Sequence, residues 1–159
     1  MSVRTATPAY AAALAAIYGE GIAGRESTFE TRTRTPEEMR ARVVSPDEIH
    51  LVAESATGVV GWAATAPYSM REVYAGVAEA SVYVLRAARG AGVGTALANE
   101  LAEEARRRGI HKLLGKLFVG NEASRRLVAR CGFREVGVHS RHGQLDGEWR
   151  DVLLVELLL

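Results

Sequence analysis

Short apolar segments and longer segments with recognisable helix starts and stops follow one another along the chain, and their order predicts the fold. The short segments predict strands; they are Val3 to Ala6, His50 to Glu54, Val59 to Thr65, Glu79 to Leu85, Lys112 to Val119, Phe133 to His139 and Trp149 to Leu157. The turn residues Thr57-Gly58 join the second and third strands into a hairpin. Two stretches, Gly19 to Thr33 and Pro67 to Gly76, predict loops.

Proline, threonine and glycine at segment ends predict the helices. Thr35-Pro36-Glu37-Glu38 carries the fullest start signal: a capping threonine, a proline in the first turn and two acids near the positive end of the helix dipole. Glycine ends a helix because it adopts the left-handed conformation there. The predicted helices are Pro8 to about Tyr18, the helix that begins at Thr35, Gly92 to Arg108 before Gly109, and Asn121 to Cys131 before Gly132.

The resulting order is β-α-α-β-β-β-α-β-α-β-β. Early antiparallel hairpins combined with a β-α-β unit predict an α/β fold with a mixed central sheet flanked by helices. A plain doubly wound fold is excluded, because it would alternate strand and helix throughout. The length of 159 residues is ordinary for one domain, expected to span residues 1–159. Apolar residues make up 48% of the chain and charged residues 25%, which is typical of globular proteins.

Charge and cysteine content exclude several classes of function. The 20 basic and 19 acidic side chains give a net charge of +1, which argues against a nucleic-acid partner. The single cysteine, Cys131, allows neither an internal disulfide nor a cysteine-based zinc site. The four histidines have no metal-ligand spacing, so we expect no metal. The alanine-rich stretch 11–17 is too short to span a bilayer, so we expect a cytoplasmic protein with no membrane partner.

A glycine-rich turn between a predicted strand and the longest helix carries the clearest chemistry. Its residues are Arg89, Gly90, Ala91, Gly92, Val93, Gly94 and Thr95. Glycines let the backbone approach a ligand, the first helical turn offers unpaired N–H groups, and the arginine adds positive charge, so the turn can cradle a phosphate or pyrophosphate. Thr95 stands where a dinucleotide-binding fingerprint has its third glycine, and the lysine of a nucleotide-binding P-loop is absent. The alternative is a turn that only redirects the chain.

Read as Arg-x-x-Gly-x-Gly, this turn resembles the acetyl-CoA signature of the GCN5-related N-acetyltransferase (GNAT) superfamily. The resemblance extends to the order of elements, to Asn121 with Ser124 at the start of the next helix, and to Gly132-Phe133. It implies acetyl-CoA as co-substrate. The turn and the helix N-terminus would hold its pyrophosphate, and the Asn121–Ser124 region would contact its pantetheine and phosphate portions.

Three further segments narrow the resemblance to the branch that acetylates phosphinothricin, methionine sulfoximine and methionine sulfone. They are Ser27 to Thr31, Ser81 to Val84, and Asp146 to Val152. The resemblance implies direct acetyl transfer to the α-amine of a small amino-acid analogue, and a homodimer. An acceptor that is a protein N-terminus, a lysine or a polyamine stays open, as does a non-catalytic acyl-CoA sensor.

Acetyl transfer requires the acceptor ammonium to lose a proton, so a general base is expected. Glu79 lies at the start of the strand that leads to the glycine turn, where partial desolvation would raise its proton affinity. The alternative is that Glu79 is an ordinary glutamate at the start of a strand and faces solvent. The resemblance favours the role of general base. The resemblance also implies that main-chain groups of Val82, Tyr83 and Val84 contact the pantetheine arm and polarise the thioester, although the valine side chains can equally be core residues.

The acceptor pocket is assigned from the resemblance to two loops. Phe29, Glu30 and Thr31 come from the first loop, and Arg71 and Tyr74 from the loop ahead of Glu79. Relatives often carry two arginines in the second loop, whereas this chain has Ser69 at the earlier position and keeps Arg71, which could also be an ordinary solvated arginine. Many members protonate the leaving thiolate with a tyrosine in the helix after Asn121; this helix has none, so that role is unassigned.

Overall fold

The structure, a computed structural model, describes residues 1–159. The strands are β1 (Ser2–Thr5), β2 (Ile49–Ser55), β3 (Gly58–Pro67), β4 (Val77–Val84), β5 (Lys112–Phe118), β6 (Arg134–Leu145) and β7 (Glu148–Leu158). The helices are α1 (Ala11–Ala23), α2 (Pro36–Val43), α3 (Val93–Arg107) and α4 (Glu122–Arg130), and short 3₁₀ turns lie at Pro8–Tyr10, Glu72–Tyr74 and Arg86–Ala88. The predicted order of elements is confirmed.

All seven strands form one mixed sheet in the order β1-β2-β3-β4-β5-β7-β6. β4 and β5 are parallel, and every other neighbouring pair is antiparallel. Parallel neighbours need a crossover connection, which α3 supplies between β4 and β5. The mixed sheet expected from the sequence is therefore present, with its parallel pair near the middle.

The two largest errors in the predicted boundaries concern the first helix and the sixth strand. The first helix was expected to end near Tyr18, yet α1 continues to Ala23 through Gly19 and Gly21. Packing outweighs the poor helix propensity of glycine here, since a Cβ at Gly21 would lie 3.2 Å from the ring of Tyr83. The sixth strand was expected to end at His139, yet β6 continues to Leu145, because its pairing with β7 resumes after an irregularity.

The two faces of the sheet are covered by different helices. On one face α3 packs against β2, β3 and β5 through buried residues that include Leu97, Leu101 and Leu113. On the other face α1 and α2 enclose Leu14, Met39 and Trp62. Strand alternation therefore sends successive β4 side chains into different layers. Val82 and Val84 pack on the α3 side, and Tyr83 packs on the α1 side.

The parallel pair β4 and β5 separates soon after it begins. Their register runs from Val77 opposite Lys112 to Glu79 opposite Leu114 and stops there. β4 remains paired with β3 as far as Val84, and β5 remains paired with β7 over its whole length. The two strands therefore diverge toward their carboxyl ends and leave a cleft in the middle of the sheet.

The close approach of β3 to β4 and α3 requires Gly61. A Cβ there would lie 2.9 Å from the Tyr83 carbonyl oxygen and 3.1 Å from a Leu97 methyl group. We expect Gly61→Ala to lower the free energy of unfolding by about 1–3 kcal/mol, because backbone and core must shift. Denaturant unfolding measures this. Gly137→Ala is the matched control, since Gly137 is also a strand glycine but has no atom within 4 Å of that position. Equal losses in both variants would contradict the steric argument.

Candidate active site

The chain leaves β4 through a turn whose backbone depends on glycine. Gly90 has φ of +80°, and Gly92, the N-cap residue of α3, has φ of +81°. Side chains disfavour this left-handed region, and no atom lies within 4 Å of a Cβ at either position. The turn therefore presents bare backbone to the space above it.

The N-terminus of α3 offers free donors to the same space. The first hydrogen bond of the helix joins the Ala96 N–H to the Gly92 carbonyl at 3.0 Å, and no side chain caps the helix. The N–H groups of Val93, Gly94 and Thr95 thus have no acceptor within the chain. Together with the positive end of the helix dipole, they form an anion-binding position.

A cavity of about 330 Å³ lies against this turn. Of the residues predicted to bind the co-substrate, all except Ala91 line it: Val82, Tyr83, Val84, Arg89, Gly90, Gly92, Val93, Gly94, Thr95, Asn121 and Ser124. Sequence reasoning missed several further lining residues, among them Ile17 and Gly21 of α1, Gly24 directly after it, and Arg126 and Arg130 of α4. The two arginines have helical i, i+4 spacing, a signal that was present in the sequence.

The charges around this cavity favour an anion. Arg89, Arg126 and Arg130 line it, against the single acid Glu26. The Arg89 Nε–H donates to the carbonyl of Val84 at 3.3 Å, which holds the guanidinium beside the end of β4. Three cations and a helix N-terminus at one wall suit phosphate groups.

The main chain of β4 presents unpaired groups to the cleft. Antiparallel pairing alternates, and the bonds from Tyr68 N–H to Val77 O and from Leu85 N–H to Val60 O show that odd-numbered β4 residues bond β3. The main-chain groups of Val82 and Val84 therefore point away from β3, toward the cleft. Those of Tyr83 belong to the β3 ladder, opposite Trp62. Tyr83 lines the cavity, and its predicted main-chain contact with the pantetheine arm stays a prediction.

Asn121 ties α4 to the loop that follows α1. Its Oδ1 accepts the Ser124 N–H at 3.0 Å, so it caps α4, and its Nδ2 donates to the Glu26 carbonyl at 3.0 Å. An amide suits this position because it offers an acceptor and a donor at once. The loop and the helix are thus held together across the mouth of the cleft.

A second cavity, of about 110 Å³, passes through the cleft between β4 and β5. Its lining comes from both sides of the sheet, with Leu101 and Phe133 on the α3 side and Ser81 and Lys116 on the other. It shares several lining residues with the first cavity: Ser27, Val82, Tyr83, Asn121, Ser124 and Leu127. The two cavities therefore adjoin each other, and together they mark a path from the glycine turn into the sheet.

Glu79 lies beside this path rather than in its lining. Its Oε1 accepts a hydrogen bond from Lys116 Nζ at 2.6 Å, and the Glu79 and Lys116 side chains are 36% and 49% exposed. The sequence predicted a partly desolvated carboxylate but missed its partner. Alternation along β5 identifies this partner only once the register is known, since Lys116 stands two residues beyond Leu114, which is opposite Glu79.

The predicted acceptor residues belong to two separate loops. Phe29 packs edge to face on Phe118, with ring centroids 4.8 Å apart. Glu30 and Thr31 are exposed in the loop after it. Arg71 is exposed with its guanidinium 5.6 Å from the Tyr74 ring centroid, in the loop between β3 and β4. None of these residues lines either cavity, so their part in acceptor binding stays a prediction.

Two other titratable side chains near the cavities are poor candidates for proton transfer. Burial raises the pKa of the Tyr83 hydroxyl to about 12, so it stays neutral at neutral pH. Burial also raises the pKa of the Cys131 thiol, which keeps it from acting as a nucleophilic thiolate.

No group of three or more His, Cys, Asp or Glu side chains is arranged to hold a metal. No helix is long and apolar enough to cross a membrane.

Comparison with protein families identifies the class of protein. Residues 19–133 match the model of the acetyltransferase (GNAT) family. This range contains the glycine turn, the diverging strands and α4. The chain belongs to the GNAT acetyltransferase family. It is an acetyl-CoA-dependent N-acetyltransferase.

Two curated relatives indicate which branch of the family the chain resembles. The chain is 33% identical over 147 residues to the phosphinothricin N-acetyltransferase of Streptomyces coelicolor, covering 88% of this chain and 85% of that protein. It is 34% identical over 139 residues to the L-methionine sulfoximine/L-methionine sulfone acetyltransferase of Pseudomonas aeruginosa, covering 87% and 74%. The branch resemblance inferred from the sequence motifs is confirmed.

Solved structures share the fold over its whole length. A ribosomal-protein-alanine N-acetyltransferase from Brucella melitensis is 34% identical, with a TM-score of 0.95 and all of both chains covered. The acetyltransferase yncA from Salmonella typhimurium, solved with its cofactor acetyl-CoA, is 28% identical, with a TM-score of 0.95 over 99% of this chain and 93% of that one. The predicted GNAT fold is confirmed.

Proposed function

We propose that this enzyme transfers the acetyl group of acetyl-CoA to the α-amine of a small amino-acid analogue of the phosphinothricin, methionine sulfoximine or methionine sulfone type. The observation that carries the proposal is that a cavity at an anion cradle adjoins a second cavity at the diverging strands, which is lined by Lys116, the ion-pair partner of Glu79. The two curated relatives act on acceptors of this type. We expect the enzyme to act in the cytoplasm, where acetyl-CoA is available.

The first cavity has the donors that a CoA thioester needs. The N–H groups of the first α3 turn and the Arg89 guanidinium would hold the pyrophosphate. The cleft-facing N–H groups of Val82 and Val84 would bond the pantetheine arm and polarise the thioester carbonyl. Asn121 and Ser124, at the start of α4, would contact the same arm. Acetyl-CoA supplies an acetyl group already activated as a thioester.

Glu79 is proposed as the general base. Its carboxylate oxygen would take a proton from the acceptor ammonium, because only the free amine is a nucleophile. The amine nitrogen then bonds to the acetyl carbon as the carbon–sulfur bond breaks. CoA leaves as the thiolate, and the second proton lost by the nitrogen neutralises it. α4 has no tyrosine to protonate the sulfur, and the neutral Tyr83 side chain packs in the α1 layer.

The enzyme is also proposed to be a homodimer. The outer hairpin of the sheet exposes apolar side chains, with Val138 at 52% and Trp149 at 51% exposure. Grouped exposed apolar side chains are typical of interaction surfaces. A second copy of the chain is the expected partner, and sedimentation measures the assembly.

A protein N-terminus is the second candidate acceptor. The full-length likeness to a ribosomal-protein-alanine N-acetyltransferase favours it. An acceptor loop with Arg71 but with Ser69 in place of an earlier arginine is consistent with a less anionic acceptor. A groove that accepts peptides would acetylate short peptides with an N-terminal alanine.

Thiol release from acetyl-CoA in parallel reactions separates the candidates. The acceptors are methionine sulfone, methionine sulfoximine, phosphinothricin, spermidine, free amino acids and an alanine-initiated peptide. We expect release with the sulfone-type acceptors and not with the peptide. Release with the peptide alone would replace the proposed acceptor class by the second candidate.

The anion cradle is tested by Gly92→Ala, which places a Cβ at the proposed pyrophosphate position. We expect the KM for acetyl-CoA to rise ~10-fold or more, because charged hydrogen bonds are lost. Gly109→Ala is the matched control: Gly109 has φ of +80°, also has no atom within 4 Å of a Cβ, and follows the other end of α3. A turn that is only structural would give the same KM in both variants.

The base is tested by Glu79→Gln, which keeps the shape of the side chain and removes its proton affinity. We expect kcat at neutral pH to fall ~10²- to 10⁴-fold, with an unchanged KM for acetyl-CoA. Glu37→Gln, an exposed position in the first turn of α2, makes the same change of charge away from the cavities. If Glu79→Gln keeps full activity across the pH range, Glu79 is not the base.

A further inference from the structure

The geometry points to Lys116 as the residue that binds the carboxylate of the acceptor, with the Glu79–Lys116 pair as a receptor for a zwitterion. In this arrangement the acceptor ammonium contacts Glu79 and the acceptor α-carboxylate contacts Lys116. The ion pair between Glu79 and Lys116 is thus replaced by two ion pairs with the acceptor. The inference rests on the proposed function and makes its substrate class more specific. Lys116 acts here as a determinant of acceptor specificity.

Strand alternation places the two side chains on one face of the sheet. Leu117 packs on the α4 side with Leu153 and Val155, so its neighbour Lys116 projects to the opposite side. Glu79 shares that side with Tyr83, whose ring packs in the α1 layer. The two charges therefore meet beside the point where β4 and β5 separate.

Lys116 is the single charged residue that lines the second cavity. The other cations at the path are Arg89, Arg126 and Arg130, and they line the first cavity near the glycine turn. A carboxylate that enters the second cavity thus finds one cation, and this cation already contacts the proposed base.

The ion pair between Glu79 and Lys116 can open so that each side chain contacts a ligand instead. Both side chains are partly exposed, and an exposed ion pair contributes little net stability. Lys116 makes no other hydrogen bond or ion pair, and neither does Glu79. A lysine ammonium on a flexible stem can turn from one carboxylate to another without disturbing the strands.

The charges of the Glu79–Lys116 pair distinguish classes of acceptor by the charges that each acceptor carries. An α-amino acid brings one positive and one negative group, and each meets its opposite in the pair. A polyamine or a peptide N-terminus brings a positive group without an adjacent carboxylate. The ammonium of such an acceptor would contact Glu79 and leave Lys116 without a partner. The acceptor ammonium and the Lys116 ammonium would then be neighbouring cations, which repel each other.

The test compares methionine sulfone with methionine sulfone amide, which lacks the carboxylate. Lys116→Met removes the charge and keeps the chain length, and Lys116→Arg keeps the charge. We expect Lys116→Met to raise the KM for the acid ~10- to 100-fold, as expected for loss of a charged contact. The KM for the amide should stay the same or fall, because the repulsion between the amide's ammonium and Lys116 is removed. The KM for acetyl-CoA should not change, and Lys116→Arg should restore most of the affinity for the acid.

Each outcome separates this inference from the proposed function. An equal effect of Lys116→Met on acid and amide would overturn the carboxylate role, since Lys116 would then act only through Glu79. An unchanged KM for the acid would also overturn it. If the wild-type enzyme acetylates the amide and the alanine-initiated peptide but no free amino acid, the proposed acceptor class is wrong, and this inference falls with it.

Discussion

The divergence of β4 and β5 beyond Glu79 and Leu114 is the constraint on which the site depends. A continuous sheet would satisfy every main-chain group of both strands and close the path between the two helical layers. Because the pairing stops early, Val82 and Val84 keep donors for a ligand, and a cavity passes through the sheet. The same divergence leaves Glu79 and Lys116 at the end of the paired region.

The cleft stays open because each strand is held from its other side. β4 pairs with β3 along its length, and β5 pairs with β7 along its length, so neither strand needs the other for stability. α4 and Asn121 then fix the mouth of the cleft by joining the helix N-terminus to the Glu26 carbonyl. An open cleft is thus maintained within a well-packed sheet.

Local signals made much of the fold predictable, while long-range packing produced the errors. Glycine at the α3 N-cap and threonine at the α2 N-cap act within one turn, so their elements could be predicted. α1 runs past Gly19 because it packs on a distant strand, which no local pattern reveals. Lys116 was missed for the same reason: its partner Glu79 is 37 residues away, and the parallel register decides that they meet.

The two ends of the path differ in how they can recognise charge. At the glycine turn, backbone N–H groups and three arginines offer a fixed positive surface, which suits a group that is always anionic. At the other end, one acid and one base side chain neutralise each other until a ligand separates them. A fixed cradle would bind any CoA ester, whereas an ion pair that opens would favour a ligand that supplies both an ammonium and a carboxylate. Acceptor selection in this enzyme is therefore expected to depend on Lys116 more than on the cradle.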